Sequence, residues 1–367
     1  MKSPISVIMI LLFSVLLAGC SQSQSSNGTA DKKTPPHAKK APSKKIHKQV
    51  KKEKPEIPYA PLLPDKDAKS LQSRVEAAKQ PADDQKKKNA NAQSRTVPLG
   101  QTLRAGKQDL TNGPLKKYRL VSYYGTPLTD AMGILGEYSP EEMMKKLKDQ
   151  AQVYSNLDPD RPAIPTIELI ATMAQRDPGP NGLYVTQLKA DKIRQYVDLA
   201  KDHKALVLID IQLGRDAIMN EVKALEPFLK EPNVELAIDT EFHVKAGQVP
   251  GVNLGHVDGA NVQEAIDYVD QLIEKNHLPD KVVMVHEFQQ GIILNKSLIK
   301  PTKHVEVVLN ADGFGPIAPK KAKYHRLVTE QTHQYGGLKL FYRKDQPLMK
   351  PLDVLQLDPA PAVVNYQ

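Results

Sequence analysis

From residue 118 onward the chain alternates short, β-branched apolar runs with longer amphipathic stretches. The apolar runs fall at 118–124, 163–172, 205–211, 234–240, 281–288, 304–310, 338–342 and 362–366. Helix-period stretches separate most of them, at about 140–155, 192–203, 217–229, 262–276 and 319–333, with a short one near Leu352. Runs that are apolar throughout, instead of alternating with polar residues, predict strands buried on both faces, as in a parallel sheet. Eight such strands in a region of about 270 residues match a single (β/α)8 barrel. The pattern stops at the eighth strand, so the predicted barrel lacks its last helix. An open doubly wound sheet is the alternative, but no Gly-x-Gly-x-x-Gly follows the first run. Residues 99–117 are expected to cover one end of the barrel, without a preference for which.

The first hundred residues have a different pattern. Lys2 precedes an apolar stretch at 5–17, too short to span a bilayer comfortably, which ends in Leu17-Ala-Gly-Cys20. This pattern predicts a lipoprotein signal peptide at 1–19, with cleavage before Cys20 and diacylglycerol on its sulfur. Cys20 is the only cysteine, so no internal disulfide is available. Residues 20–98 are rich in Lys, Pro, Ser and Gln and read as a disordered tether, with the barrel domain at 99–367. The tether holds 18 Lys/Arg against 8 Asp/Glu, whereas residues 99–367 hold 32 against 34. The high sequence pI of about 9.2 therefore belongs to the tether and does not imply nucleic-acid binding by the domain. A basic tether beside a lipid anchor suits anionic headgroups or wall polymers at the outer face of a bacterial cell membrane.

Candidate chemistry lies at the carboxyl ends of the predicted strands, where a barrel carries its functional face. Asp239 and Glu241 leave the fourth strand two residues apart, on one side and roughly 6.5 Å from each other along an extended chain. Glu168, Asp210 with Gln212, His286 with Glu287, Asp312, Tyr123 with Tyr124, Tyr342 and Tyr366 mark other strand ends. Paired carboxylates with aromatic residues fit glycoside hydrolysis, in which one carboxyl protonates the leaving oxygen and a second acts as nucleophile or base. Glu241 is the candidate acid, Asp239 the neighbour that would keep it protonated, and Asp210, Glu287 or Asp312 the candidate second carboxyl. The two tyrosines of the first strand and Tyr342 are candidates for contact with sugar rings. The absence of tryptophan speaks against a long polysaccharide groove. Asp210, Asp239, Glu241, His286 and Asp312 are the set that would converge on a cation. The expectation is nonetheless no metal and no cofactor, because neither His-x-His nor His-Glu-x-x-His occurs. No Gly-x-Ser-x-Gly and no phosphate-binding loop occurs either.

Six stretches together carry a resemblance: Leu17-Ala-Gly-Cys20, Tyr123-Tyr-Gly-Thr-Pro127, Ala237-Ile-Asp-Thr-Glu241, Val285-His-Glu-Phe288, Ala311-Asp-Gly-Phe-Gly315 and Val364-Asn-Tyr-Gln367. They resemble a family of Gram-positive cell-surface lipoproteins, over about 118–367. The resemblance implies a barrel-like fold, a surface location and a role for strand-end residues, with no assigned activity. Asp239-Thr-Glu241 is also similar to the end of the chitinase-type barrel motif. The earlier aspartate and glycine of that motif are missing, because residues 233–238 are Asn-Val-Glu-Leu-Ala-Ile. The expected function is binding or hydrolysis of a cell-envelope glycan. The alternative is a non-catalytic ligand-binding or structural lipoprotein.

Overall fold

The computed structural model describes residues 56–78 and 95–367; the expected signal peptide, Cys20 and the lysine runs of the expected tether lie outside them. Among the described residues no helix is long and apolar enough to cross a membrane. Eight parallel strands form the sheet: β1 Arg119–Gly125, β2 Ala163–Ala174, β3 Leu206–Gln212, β4 Val234–Asp239, β5 Lys281–Glu287, β6 Val305–Ala311, β7 Tyr335–Leu340 and β8 Val363–Tyr366. Each pairs with its neighbours in sequence, and β1 pairs with both β2 and β8, which closes the barrel. A three-residue strand, Val185–Gln187, adds antiparallel to the end of β2.

The pleat of each strand sorts its side chains. Leu120, Ile164, Leu208, Met284, Val308 and Val363 meet inside the barrel. Residues of the opposite phase, such as Val121, Ile167, Ile209, Val285, Leu309 and Val364, pack outward against the helices. Burial on both sides explains why the runs are apolar throughout. The outer layer consists of α1 Leu71–Ala78, α2 Pro140–Leu157, α3 Ala190–Asp202, α4 Ile218–Ala224, α5 Gly259–Asn276, α6 Ile317–Tyr324 and α7 Pro351–Leu355. Ser139 caps α2, its hydroxyl accepting from the Glu142 amide, with Pro140 in the first turn.

Two expectations need correction. The expected tether runs through residue 98, yet residues 56–78 and 95–98 pack on the barrel. Tyr59 lies edge-on to Tyr118, Leu62 bridges to Ala163, and Leu71 and Val75 are buried in the outer core. The Thr96 amide and hydroxyl both donate to Asp358. The average composition of 20–98 concealed an apolar pair four residues apart on one helix face. The second correction concerns β7, which begins at Tyr335 and not at 338. Gly336 and Gly337 precede the predicted run but lie in the strand, paired with Leu309 and Asn310. A Cβ at Gly337 would stand 2.4 Å from Asn310 Oδ1, so glycine is required for close approach.

Residues 99–117 cover the amino-terminal end of the barrel. Leu115 fills its interior, Leu103 bridges to Tyr335, and Glu306 accepts from the amides of Leu115 (3.0 Å) and Lys116 (3.2 Å). Nearby, Glu235 accepts from the Val282 amide at 2.6 Å. Burial pushes the Glu235 carboxyl up to about 7, against the pull of Lys281. A carboxyl whose folded pKa lies above its unfolded value holds its proton better in the native state. Its contribution is present in full below about pH 4.5 and is lost as pH rises towards 7. At 1.36 kcal/mol per unit the loss is on the order of 3 kcal/mol. Glu235→Gln is expected to flatten the fall in stability between about pH 5 and pH 8, read as urea midpoints at the two pH values. An unchanged slope would show that Glu235 ionises normally.

Candidate functional site

Inward positions near the carboxyl ends of the strands bring Ser122 and Tyr124 from β1, Glu168 from β2, Asp210 and Gln212 from β3, and Asp239 from β4 to one end of the barrel. His286 from β5, Asn310 from β6, Lys339 from β7 and Asn365 from β8 join them, with Asp312 just past β6. All are buried. The sheet register sets Asp239 beside Gln212 on one side and His286 on the other, and His286 beside Asn310.

His286 is at the centre. Its Nε2 is 2.9 Å from Glu168 Oε1 and its Nδ1 is 3.1 Å from Asp312 Oδ2. Asp210 Oδ2 lies 3.3 Å from Nε2, without the alignment of a hydrogen bond. Lys339 Nζ donates to Asp312 Oδ2 at 3.0 Å and stands 3.6 Å from the centre of the Tyr124 ring. The Tyr124 hydroxyl accepts from Gln212 at 3.0 Å. The second oxygen of Glu168 accepts from Ser122 (2.9 Å) and from Asn365.

The carboxyl groups outnumber the cations here, and their proton affinities diverge. Burial opposes ionisation of Asp312, but Lys339 and His286 overcome it and hold this carboxyl well below the usual range. Burial likewise disfavours the charged forms of His286 and Lys339. The carboxyls of Asp210, Asp312 and Glu168 hold the imidazole well above its ordinary value, and Asp312 and Asp239 do the same for the lysine. Asp239 is pushed well up by burial and then by Asp210 and Glu241, and Asp210 is raised by burial against the pull of His286. Glu241 sits at the rim, on the loop after β4. Burial, then Asp312, push its carboxyl up to about 7, against Lys339 and His286. Its carbonyl accepts from the Gly255 amide at 2.7 Å, which folds residues 240–256 back on themselves. A Cβ at Gly255 would meet the His243 carbonyl oxygen at 2.4 Å.

The structure therefore brings together Tyr124, Glu168, Asp210, Gln212, Asp239, His286 and Asp312, with Glu241 above them. Four predicted residues lie elsewhere, for a common reason: each sits one position out of phase with the inward set. Tyr123 and Tyr366 point outward beneath α2, where the Tyr366 hydroxyl is 2.7 Å from that of Tyr154. Tyr342 follows β7 and stacks on Tyr366 with ring centres 5.1 Å apart. Glu287 faces outward and pairs with Lys296. Tyr123 and Tyr342 line a separate outer pocket of about 440 Å³, with Ile134, Tyr138 and Gln150. A second pocket of about 580 Å³ lies against α4 and α5. Neither pocket touches the His286 cluster. Sequence reasoning missed Lys339, Ser122, Asn310 and Asn365 as site residues. The signal for Lys339 was available: a charge within an otherwise apolar strand buried on both sides has to face a polar interior.

No protein-family model matches the chain, and no curated protein matches it. Among solved structures, a β-glucuronidase of Parabacteroides merdae, determined with glycerol in its active site, is similar with a TM-score of 0.34 and 10% identity. The match covers 68% of this chain and 31% of that one, and nothing about the chemistry of this barrel follows from it.

Proposed function

We propose that the barrel is a hydrolase acting on a cell-envelope glycan, with Glu241 as general acid. The observation that carries this reading is the divergence of proton affinities around one mouth: Glu241 is raised to about 7, while Asp312 stays ionised beneath it. Carboxyls driven apart in this way are how a single site supplies both acid and base at neutral pH. Asp312 is the candidate nucleophile or base, and Asp239 and Asp210 are the raised carboxyls beside the pair. Tyr124 and Gln212 are the polar groups that would meet sugar hydroxyls. Lipid attachment at Cys20 would hold the barrel at the outer face of a bacterial membrane. The basic segment that follows would lie against anionic headgroups or wall polymer.

A second reading has its own support. Glu168, His286, Asp312 and Lys339 are buried and bonded chiefly to one another, as in a polar core beneath a non-catalytic binding surface. Incubating the purified protein with cell-wall glycan and following new reducing ends separates the two. Release of ends by the wild-type protein supports hydrolysis. Retention of glycan on the protein without cleavage supports the binding reading and overturns the first.

A further inference from the structure

We propose that Glu168, Asp210 and His286 form a binding site for one divalent transition cation of the Zn2+ or Mn2+ class. One ligand atom from each residue lies within 4.8 Å of the other two. The imidazole Nε2 is 2.9 Å from Glu168 Oε1 and 3.3 Å from Asp210 Oδ2. Two ligands held about 2.1 Å from one ion, at octahedral or tetrahedral angles, stand roughly 3.0–3.4 Å apart. These spacings are therefore already those of a coordination edge.

The unpartnered atoms point the same way. Asp210 is 0% exposed, yet among the described residues its Oδ1 has no partner and its Oδ2 has only the poorly aligned contact with His286 Nε2 at 3.3 Å. Buried carboxylates ordinarily collect donors, because desolvation without a partner costs several kcal/mol. Asp239, in register with His286 on the adjacent strand, also leaves Oδ1 buried and unpartnered.

The surrounding atoms hold the remaining ligands in place. His286 Nδ1 faces Asp312 Oδ2, which Lys339 fixes in turn. A metal-bound imidazole has this carboxylate contact on its far nitrogen. Glu168 uses Oε2 for Ser122 and Asn365; its Oε1 faces His286 Nε2 at 2.9 Å, and both atoms would turn to the ion as it displaces the imidazole proton to solvent. A +2 charge would offset the excess of carboxylates. One imidazole among carboxylates suits Zn2+ or Mn2+ better than Mg2+ or Ca2+, which favour all-oxygen shells.

The site stands independently of the glycan reading, and its test needs no substrate. The full chain, stripped with chelator, is titrated calorimetrically with Zn2+ and Mn2+, with Mg2+ and Ca2+ for comparison. One Zn2+ or Mn2+ per chain and a rise in melting temperature are expected. Asp210→Asn, which keeps the shape of the side chain and gives up one contact with His286, is expected to bind about tenfold or more weakly, and Glu168→Gln likewise. Visible absorption of Co2+ added to the wild-type protein gives a second readout that needs no variant. Wild-type protein without binding heat, melting shift or a Co2+ band at millimolar ion overturns the proposal. So does wild-type affinity in both variants, which would assign the heat to surface histidines.

Discussion

Replacing Lys339 by methionine is expected to cost about 3–5 kcal/mol of stability, because it strips the cation from a buried charge pair and leaves the anion in place. Methionine nearly preserves the volume, so packing is a small part of the loss. Lys339 is 3% exposed and donates to Asp312 at 3.0 Å. Asp239, Glu168 and Asp210 also face it electrostatically. Without the ammonium, Asp312 keeps His286 and the Gly313 amide, and four carboxyls repel one another at low dielectric. The urea midpoint at neutral pH is the measurement. Lys323→Met, at a half-buried position beside the same loop, serves as a control with a change of about 1 kcal/mol or less. Adding Asp312→Asn to Lys339→Met should recover part of the loss, since the two groups share one interaction. Equal stability of Lys339→Met and wild type would mean that the cluster is neutralised in another way.

Glu241→Gln is expected to lower kcat on a cleaved glycan by about 10²–10⁴, with a small change in KM, as for loss of a positioned general acid. Glutamine keeps the shape and the hydrogen-bonding reach of the side chain but has no proton to give. The sign of the pH effect follows from the raised pKa. Below about 7 the carboxyl is protonated and able to act; above it the acid form is lost and the rate falls. Unchanged cleavage by Glu241→Gln would remove this residue from the mechanism.

The fold was legible in the chain because each barrel strand is buried on both sides, which writes it as an unbroken apolar run. The site was half legible. Polar residues at strand ends could be listed, but the pleat decides which of two neighbours faces inward, and a one-residue error reverses the answer. Tyr124 enters the barrel while Tyr123 leaves it, and His286 enters while Glu287 leaves. Asp239 and Asp210 were placed by the same alternation, anchored on Ala237 and Leu208 as interior residues. Lys339 escaped notice because only the polar residues that end the strands were weighed, and it lies inside one. The packed segment at 56–78 was hidden for another reason. Its few contacts, Tyr59, Leu62, Leu71 and Val75, are set in a sequence whose average composition is that of a linker.

The central claim is that side chains from separate strands meet closely enough to set one another's charge. It is tested most directly by the titration of the Glu241 carboxyl, followed by ¹³C NMR in the wild-type protein and in Asp312→Asn. A midpoint of about 7, moving downward when Asp312 loses its charge, is the expected result. A midpoint near the ordinary glutamate value of 4.5, the same in both proteins, would contradict it.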